Sequence, residues 1–90
     1  MPVEFDPAKR QATLDRQGLD MARGAEIFDG PTLTIPDDRK DYGEPRFNTI
    51  GRLDGRLVVA VWTPRGAAHR IMSLRKANDR EQALYGPRLD

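Results

Sequence analysis

The chain has no cysteine among its 90 residues. That absence excludes disulfide staples, thiolate nucleophiles and thiolate metal sites together, and it suits a reducing cytoplasm. A single histidine, His69, leaves no His–Cys set to hold a metal, and neither a Gly-rich phosphate loop nor a Ser-His-Asp constellation is present. Long apolar runs are missing too. The longest, Leu57 to Trp62, is far too short to span a bilayer, and the opening MPVEFDPAKR lacks the apolar stretch of a signal peptide. The expectation is a soluble cytoplasmic protein without membrane contact.

Ninety residues enclose one hydrophobic core, so residues 1–90 are read as a single domain. A core this small buries a modest share of its surface, so a bound partner would add usefully to stability. The net charge of +1 hides an asymmetry. Residues 1–45 carry 6 basic and 10 acidic side chains, whereas residues 46–80 carry 8 basic and 2 acidic. Seven of those eight are arginine, whose planar fork grips phosphate with two bonds and stacks on bases. Two readings stand side by side: a polyanion-binding face, or arginines that only solvate a sheet.

Val3 to Phe5 is read as a short first strand. Asp6-Pro7 supplies an N-cap and first-turn proline for a helix through about Arg16, which Gly18 ends. Leu19-Asp20 opens a second helix with Met21, Ala25 and Phe28 on one face, closed by Asp29-Gly30-Pro31. Leu33 to Ile35 is an edge strand stopped by Pro36, and Asp37 to Pro45 is an exposed loop open to variation. Phe47 to Leu53 alternates as a strand, Asp54-Gly55 signals a hairpin, and Arg56 to Thr63 returns as a central strand covered on both faces. Pro64-Arg65-Gly66 turns into a strand from Ala68 to Leu74 or Arg75. Asn78 and Glu81 form a capping box for a last helix that Gly86-Pro87 stops. The fold class is α+β: two N-terminal helices, an antiparallel sheet of three to four strands and one C-terminal helix, with helices on one side of the sheet.

Phe5-Asp6-Pro7-Ala8-Lys9, the helix with Ala25, Phe28 and Asp29, Glu44-x-Arg46, Ile50-Gly51 and the run from Arg70-Ile71-Met72-Ser73 to Glu81 and Tyr85 resemble the BrnT toxins nearly end to end. The resemblance implies a RelE-like fold and RNA cleavage that blocks translation. It also implies a ribbon-helix-helix antitoxin of the BrnA type, in a heterotetramer that contacts DNA only through that partner. Where the family commonly has Lys-His-Gly, this chain has Arg16-Gln17-Gly18. Glutamine cannot exchange a proton near neutral pH, so a histidine-dependent step at that point lacks its group.

Cleaving RNA without a cofactor or metal requires the 2′-hydroxyl to lose a proton, the 5′-oxygen to gain one, and the crowded phosphate to be stabilised. Arg65 is assigned as the phosphate clamp and Arg75, at the family's second motif arginine, as the transition-state stabiliser, on the expectation that strand pairing brings both to one sheet face. Against this stands an ion pair of Arg75 with Glu81 or Glu44. His69 is the histidine candidate for general base, although strict alternation puts His69, Ile71 and Ser73 opposite Arg70, Met72 and Leu74. Tyr85 and Lys76 are weaker acid candidates. Arg16, Arg46, Arg52, Arg70 and Lys76 complete the expected RNA-binding set. Trp62 is read as core rather than as a stacking platform, and Asp37, Asp38 and Asp41 as turn residues rather than a cation site. The rival to an enzyme is a non-catalytic module that binds only antitoxin and nucleic acid, with Gln17 as its main support.

Overall fold

The opening helix forms as its capping residues require. In the computed structural model, which describes residues 2–89, the Asp6 carboxylate accepts from the Ala8 amide at 2.8 Å and Pro7 takes the first helical position. Helix α1, Pro7–Gln17, ends at Gly18 with φ +68°, whose amide donates to the Leu14 carbonyl. Asp20 caps the next turn through the Ala22 amide and also holds Arg10 of α1 by two bonds of 2.7 and 2.9 Å. That turn, Met21–Arg23, is a 3₁₀ turn running into the short helix α2, Gly24–Asp29. The tighter period of three residues moves the buried face to Met21, Gly24 and Ile27, whereas an α-helical period predicts Met21, Ala25 and Phe28.

Five strands form the sheet, not three or four: β1 (Val3–Glu4), β2 (Leu33–Pro36), β3 (Phe47–Leu53), β4 (Arg56–Arg65) and β5 (Ala68–Lys76), in the order β1-β5-β4-β3-β2. The opening segment joins β5 in parallel, Val3 opposite His69, while the other pairs are antiparallel. Asp54 and Gly55 adopt φ of 53° and 77°, the left-handed pair that a two-residue hairpin needs. Strand β4 continues through Pro64 and Arg65, so the turn is Gly66-Ala67 and Arg65 lies in the strand. Proline is accommodated because the β3 pairing ends at Trp62, which leaves β4 with one neighbour there.

A bulge re-phases β5. Val61 pairs with Ser73 and Trp62 with Ile71, which leaves Met72 as the extra residue. Ile71 and Leu74 therefore enter the same core cluster, where strict alternation separates them. The same shift carries Arg70 (opposite Thr63), Ser73 (opposite Val61) and Arg75 (opposite Val59) to the other face.

Helices cover both faces, which corrects the one-sided arrangement. Leu19, Met21, Ile27, Val58, Ala60, Ile71 and Leu74 pack beneath α1 and α2. Ile50, Leu57, Val59, Ala77 and Leu89 form the second cluster under α3, Asp79–Leu89. The apolar run of β4 requires this, since alternate residues on both of its faces must leave water. Asn78 and Glu81 exchange side-chain bonds with each other's amides at 2.8 and 2.9 Å, the expected capping box. Gly86-Pro87 does not stop α3. Pro87 falls near the helix end, where its missing N–H deprives only one exposed turn, and the extra turn buries Leu89 against the sheet. Helix α3 covers only the Asp54-Gly55 end of its face; toward the other end Val61 is half-buried and Ile35 and Arg65 are exposed.

Candidate functional site

The uncovered end of the α3-side face is built around Thr63. By register Thr63, Arg65 and Arg70 point to this face, and alternation from Phe47 sends Arg46 there as well. Thr63 is buried, and its hydroxyl donates to the Pro45 carbonyl at 2.7 Å. The Asp37 amide donates to the Arg46 carbonyl at 2.8 Å. These bonds tie both ends of the segment between β2 and β3 to the sheet, and the stretch between them is the mostly exposed loop that its polar sequence predicts. Within it the Asp37 carboxylate, buried and bonded to Arg39 at 2.9 and 3.0 Å, also accepts from Tyr42. The Arg39 guanidinium holds the Asp37 carboxyl below the usual range. Asp41 accepts from the Gly43 amide. The Tyr42 ring lies under the Arg46 guanidinium, 4.0 Å from its carbon.

Glu44 stands between two arginines, Oε1 at 3.6 Å from Arg46 Nη2 and Oε2 at 3.8 Å from Arg65 Nη2. Arg70 lies 3.6 Å from Glu4. All three separations exceed a direct hydrogen bond, so these guanidinium groups are near counter-charges without being committed to them. The Arg46 Nε is buried and has no hydrogen-bond partner. Sequence reasoning missed Glu44 and Tyr42 as members of the site. Its one signal was Glu44-x-Arg46, two opposite charges at a spacing that shares a face just before a strand.

Arg75 is elsewhere and differently held. It pairs opposite Val59, six residues of β4 away from Arg65, or about 20 Å at the strand rise. Arg65 and Arg75 thus share one sheet face, as expected, but sit at its opposite ends. Two bonds of 2.7 and 2.9 Å bind Arg75 to Glu81, whose carboxyl this pairing lowers to about 2. The arginine thus fastens β5 to the first turn of α3.

His69 is on the other face. Its ring stacks on Trp62 with centroids 3.6 Å apart and meets the edge of Phe28 at 4.7 Å. Burial in this stack lowers its pKa from the ordinary value, so the imidazole is neutral at pH 7 and turned away from the arginines. Trp62 is buried as expected and donates to Thr49 at 2.7 Å.

The remaining predicted cations divide between two other places. Arg16 is exposed on the last turn of α1, where with Lys9, Gln17 and Met72 it lines a shallow depression of about 300 Å³. The Gln17 carboxamide accepts from the Lys76 amide at 3.3 Å and so ties α1 to the end of β5. Arg52 and Lys76 line an open cleft of about 710 Å³ beside α3, with Arg52 donating weakly to the Gly55 and Gly86 carbonyls. No helix of the described residues is long and apolar enough to cross a membrane.

Comparison with known protein families gives a match. The family model described as the ribonuclease toxin, BrnT, of type II toxin–antitoxin systems matches residues 5–81, most of the chain. No curated protein matches it.

Proposed function

From the premise that this chain belongs to the BrnT family of ribonuclease toxins of type II toxin–antitoxin systems, we propose that it is an endoribonuclease whose centre is the Arg46–Arg65–Arg70 end of the sheet. Single-stranded RNA docks there, and Arg65 grips the scissile phosphate with Arg46 while Arg70 takes a neighbouring one. Cleavage leaves a cyclic phosphate and a free 5′-hydroxyl, needs no metal, and blocks translation in the cytoplasm. The chain has a RelE-like fold in this reading. A BrnA-like ribbon-helix-helix antitoxin covers the arginines and gathers two toxins into a heterotetramer, and DNA contact belongs to that partner.

The observation that carries the reading is how differently the arginines are held. Arg46, Arg65 and Arg70 stand 3.6 to 3.8 Å from their carboxylates at an uncovered end of the sheet, whereas Arg75 is locked at 2.7 Å on Glu81. Loosely partnered guanidinium groups exchange a carboxylate for a phosphate at little loss. Arg75 is accordingly reassigned from transition-state stabilisation to structure, and His69 is not used as a base.

Single-turnover cleavage of labelled single-stranded RNA in excess chelator tests this. Arg65→Ala is expected to slow cleavage roughly 10²- to 10³-fold, as loss of a charge-stabilising donor does, while Arg75→Ala leaves the rate within about threefold. The opposite pattern would return the centre to the α3 end. A binding-only module is favoured by Gln17, a neutral amide engaged with the Lys76 backbone where the family has histidine. Native protein that binds RNA but cleaves none, with or without ribosomes, establishes that second reading.

A further inference from the structure

The uncovered end of the sheet holds more than cations, and the carboxylate among them is placed with unusual care. The Thr63 bond to the Pro45 carbonyl and the Asp37 bond to the Arg46 carbonyl fix the two residues that follow Glu44. Tyr42 stacks beneath Arg46. Before Glu44 the Gly43 amide is held by the Asp41 carboxylate, and the half-buried Glu44 side chain spans the gap between Arg46 and Arg65.

We propose that Glu44 is the catalytic proton acceptor of this site, taking the proton of the 2′-hydroxyl next to the phosphate that Arg46 and Arg65 grip. This assignment rests on the ribonuclease reading. Three observations carry it. First, Glu44 is near two guanidinium groups at 3.6 and 3.8 Å, beyond bonding distance, so neither takes up its lone pairs. The other half-buried or buried carboxylates paired with arginine, in Asp20, Asp37 and Glu81, are engaged at 2.7 to 2.9 Å and serve structure. Second, an anion gripped by both Arg46 and Arg65 must lie beside Glu44, since that carboxylate occupies the space between them. The 2′-hydroxyl of an RNA is tied covalently next to its own 3′-phosphate and so arrives within reach. Third, the histidine is unavailable, being stacked on Trp62 across the sheet, and the Tyr42 hydroxyl donates to Asp37.

In the step, Glu44 removes the 2′-hydroxyl proton as that oxygen bonds to phosphorus. The bond from phosphorus to the 5′-oxygen breaks, and the departing oxygen takes a proton from water. The hydroxide so formed removes the proton held by Glu44, which restores the carboxylate. The arginines stabilise the crowded phosphate throughout. The substrate must carry a 2′-hydroxyl at the cut position, so a single deoxynucleotide there gives a bound but inert ligand.

The test compares native protein with Glu44→Gln, which keeps shape and removes the proton-accepting group. Single-turnover cleavage of a labelled single-stranded RNA is measured across pH. Anisotropy gives the affinity for the same RNA with 2′-O-methyl groups, and a thermal melt confirms folding. The expected result is a rate lower by about 10²- to 10⁴-fold, a flattened pH dependence, unchanged melting and affinity equal to or tighter than native. Glu44→Asp should recover part of the rate. Cleavage by Glu44→Gln within about threefold of native overturns the assignment and makes Glu44 an anion that RNA merely displaces. Loss of affinity together with rate also overturns it, because the carboxylate was then only positioning the arginines. Native protein that binds but never cleaves sinks the ribonuclease reading itself, and this assignment with it.

Discussion

The two faces of one sheet are finished in different ways. Beneath α1 and α2 every buried polar group found is bonded at short range: Trp62 donates to Thr49 at 2.7 Å, and Thr49 and Thr34 share a bond of 2.9 Å. Aromatic rings fill the rest, with Phe28, Phe47 and His69 gathered around Trp62. On the opposite face α3 covers one end only, and at the other Arg46 and Arg65 stand beyond bonding distance from Glu44, as Arg70 does from Glu4. A closed face must pair its polar groups because water is gone. An open face can leave its charges ready for an incoming partner.

The largest expected effect falls on the closed face. Ile71 is almost wholly buried and its Cδ1 fills the space over Gly24, where any Cβ would collide with it. Ile71→Ala should lower stability by about 3 kcal/mol, a fall in Tm of roughly 12–24 °C for a domain of this size. A denaturant or thermal melt measures it, and a change comparable to that of Arg65→Ala would break the contrast between the faces. Next comes Thr49→Val. It leaves the Trp62 indole N–H buried without its acceptor, so a loss of about 1–3 kcal/mol is expected, accompanied by a shift of tryptophan fluorescence. An unchanged melt would mean that the indole bond adds nothing.

The smallest effect is the dependence on pH. Burial lowers the folded His69 pKa below its ordinary 6.5, so the unfolded chain binds the proton more readily. Its contribution is complete above pH 6.5 and is lost as pH falls from there through the folded value. Tm should decline across that window in the native protein and stay flatter in His69→Phe. The acid-side loss has another origin. Asp20 and Glu81, lowered to about 2 by Arg10 and Arg75 respectively, contribute above their unfolded values and lose that contribution only as pH falls further, toward 2. A slope confined to that lower range would remove His69 from the account.

Much of the fold was legible because its signals are local. The Asp6-Pro7 start, the Gly18 stop, the Asp54-Gly55 hairpin and the reciprocal Asn78–Glu81 cap depend on residues within a few positions of one another. The family, too, was legible in ordered motifs from Phe5 to Glu81. The errors came where neighbours distant in sequence decide. Met72 bulges because of how β4 and β5 meet, and one inserted residue reverses every later side chain, so alternation alone put Leu74 on the wrong face. Gly86-Pro87 carries a stop signal, yet burying Leu89 against the sheet outweighs it.

The candidate site divides the same way. An excess of arginine after residue 46 and the identities of Arg46, Arg65 and Arg70 follow from the sequence itself, because charge and chain position need no partner. Which arginine is committed and which is open was decided only by the tertiary structure. It bonds Arg75 to Glu81 and stacks His69 on Trp62 across the sheet. It also sets Glu44 between Arg46 and Arg65. The physical reason is that the role of a charged side chain is set by what lies within a few ångströms of it, and strand register across β3, β4 and β5 is what brings those neighbours together.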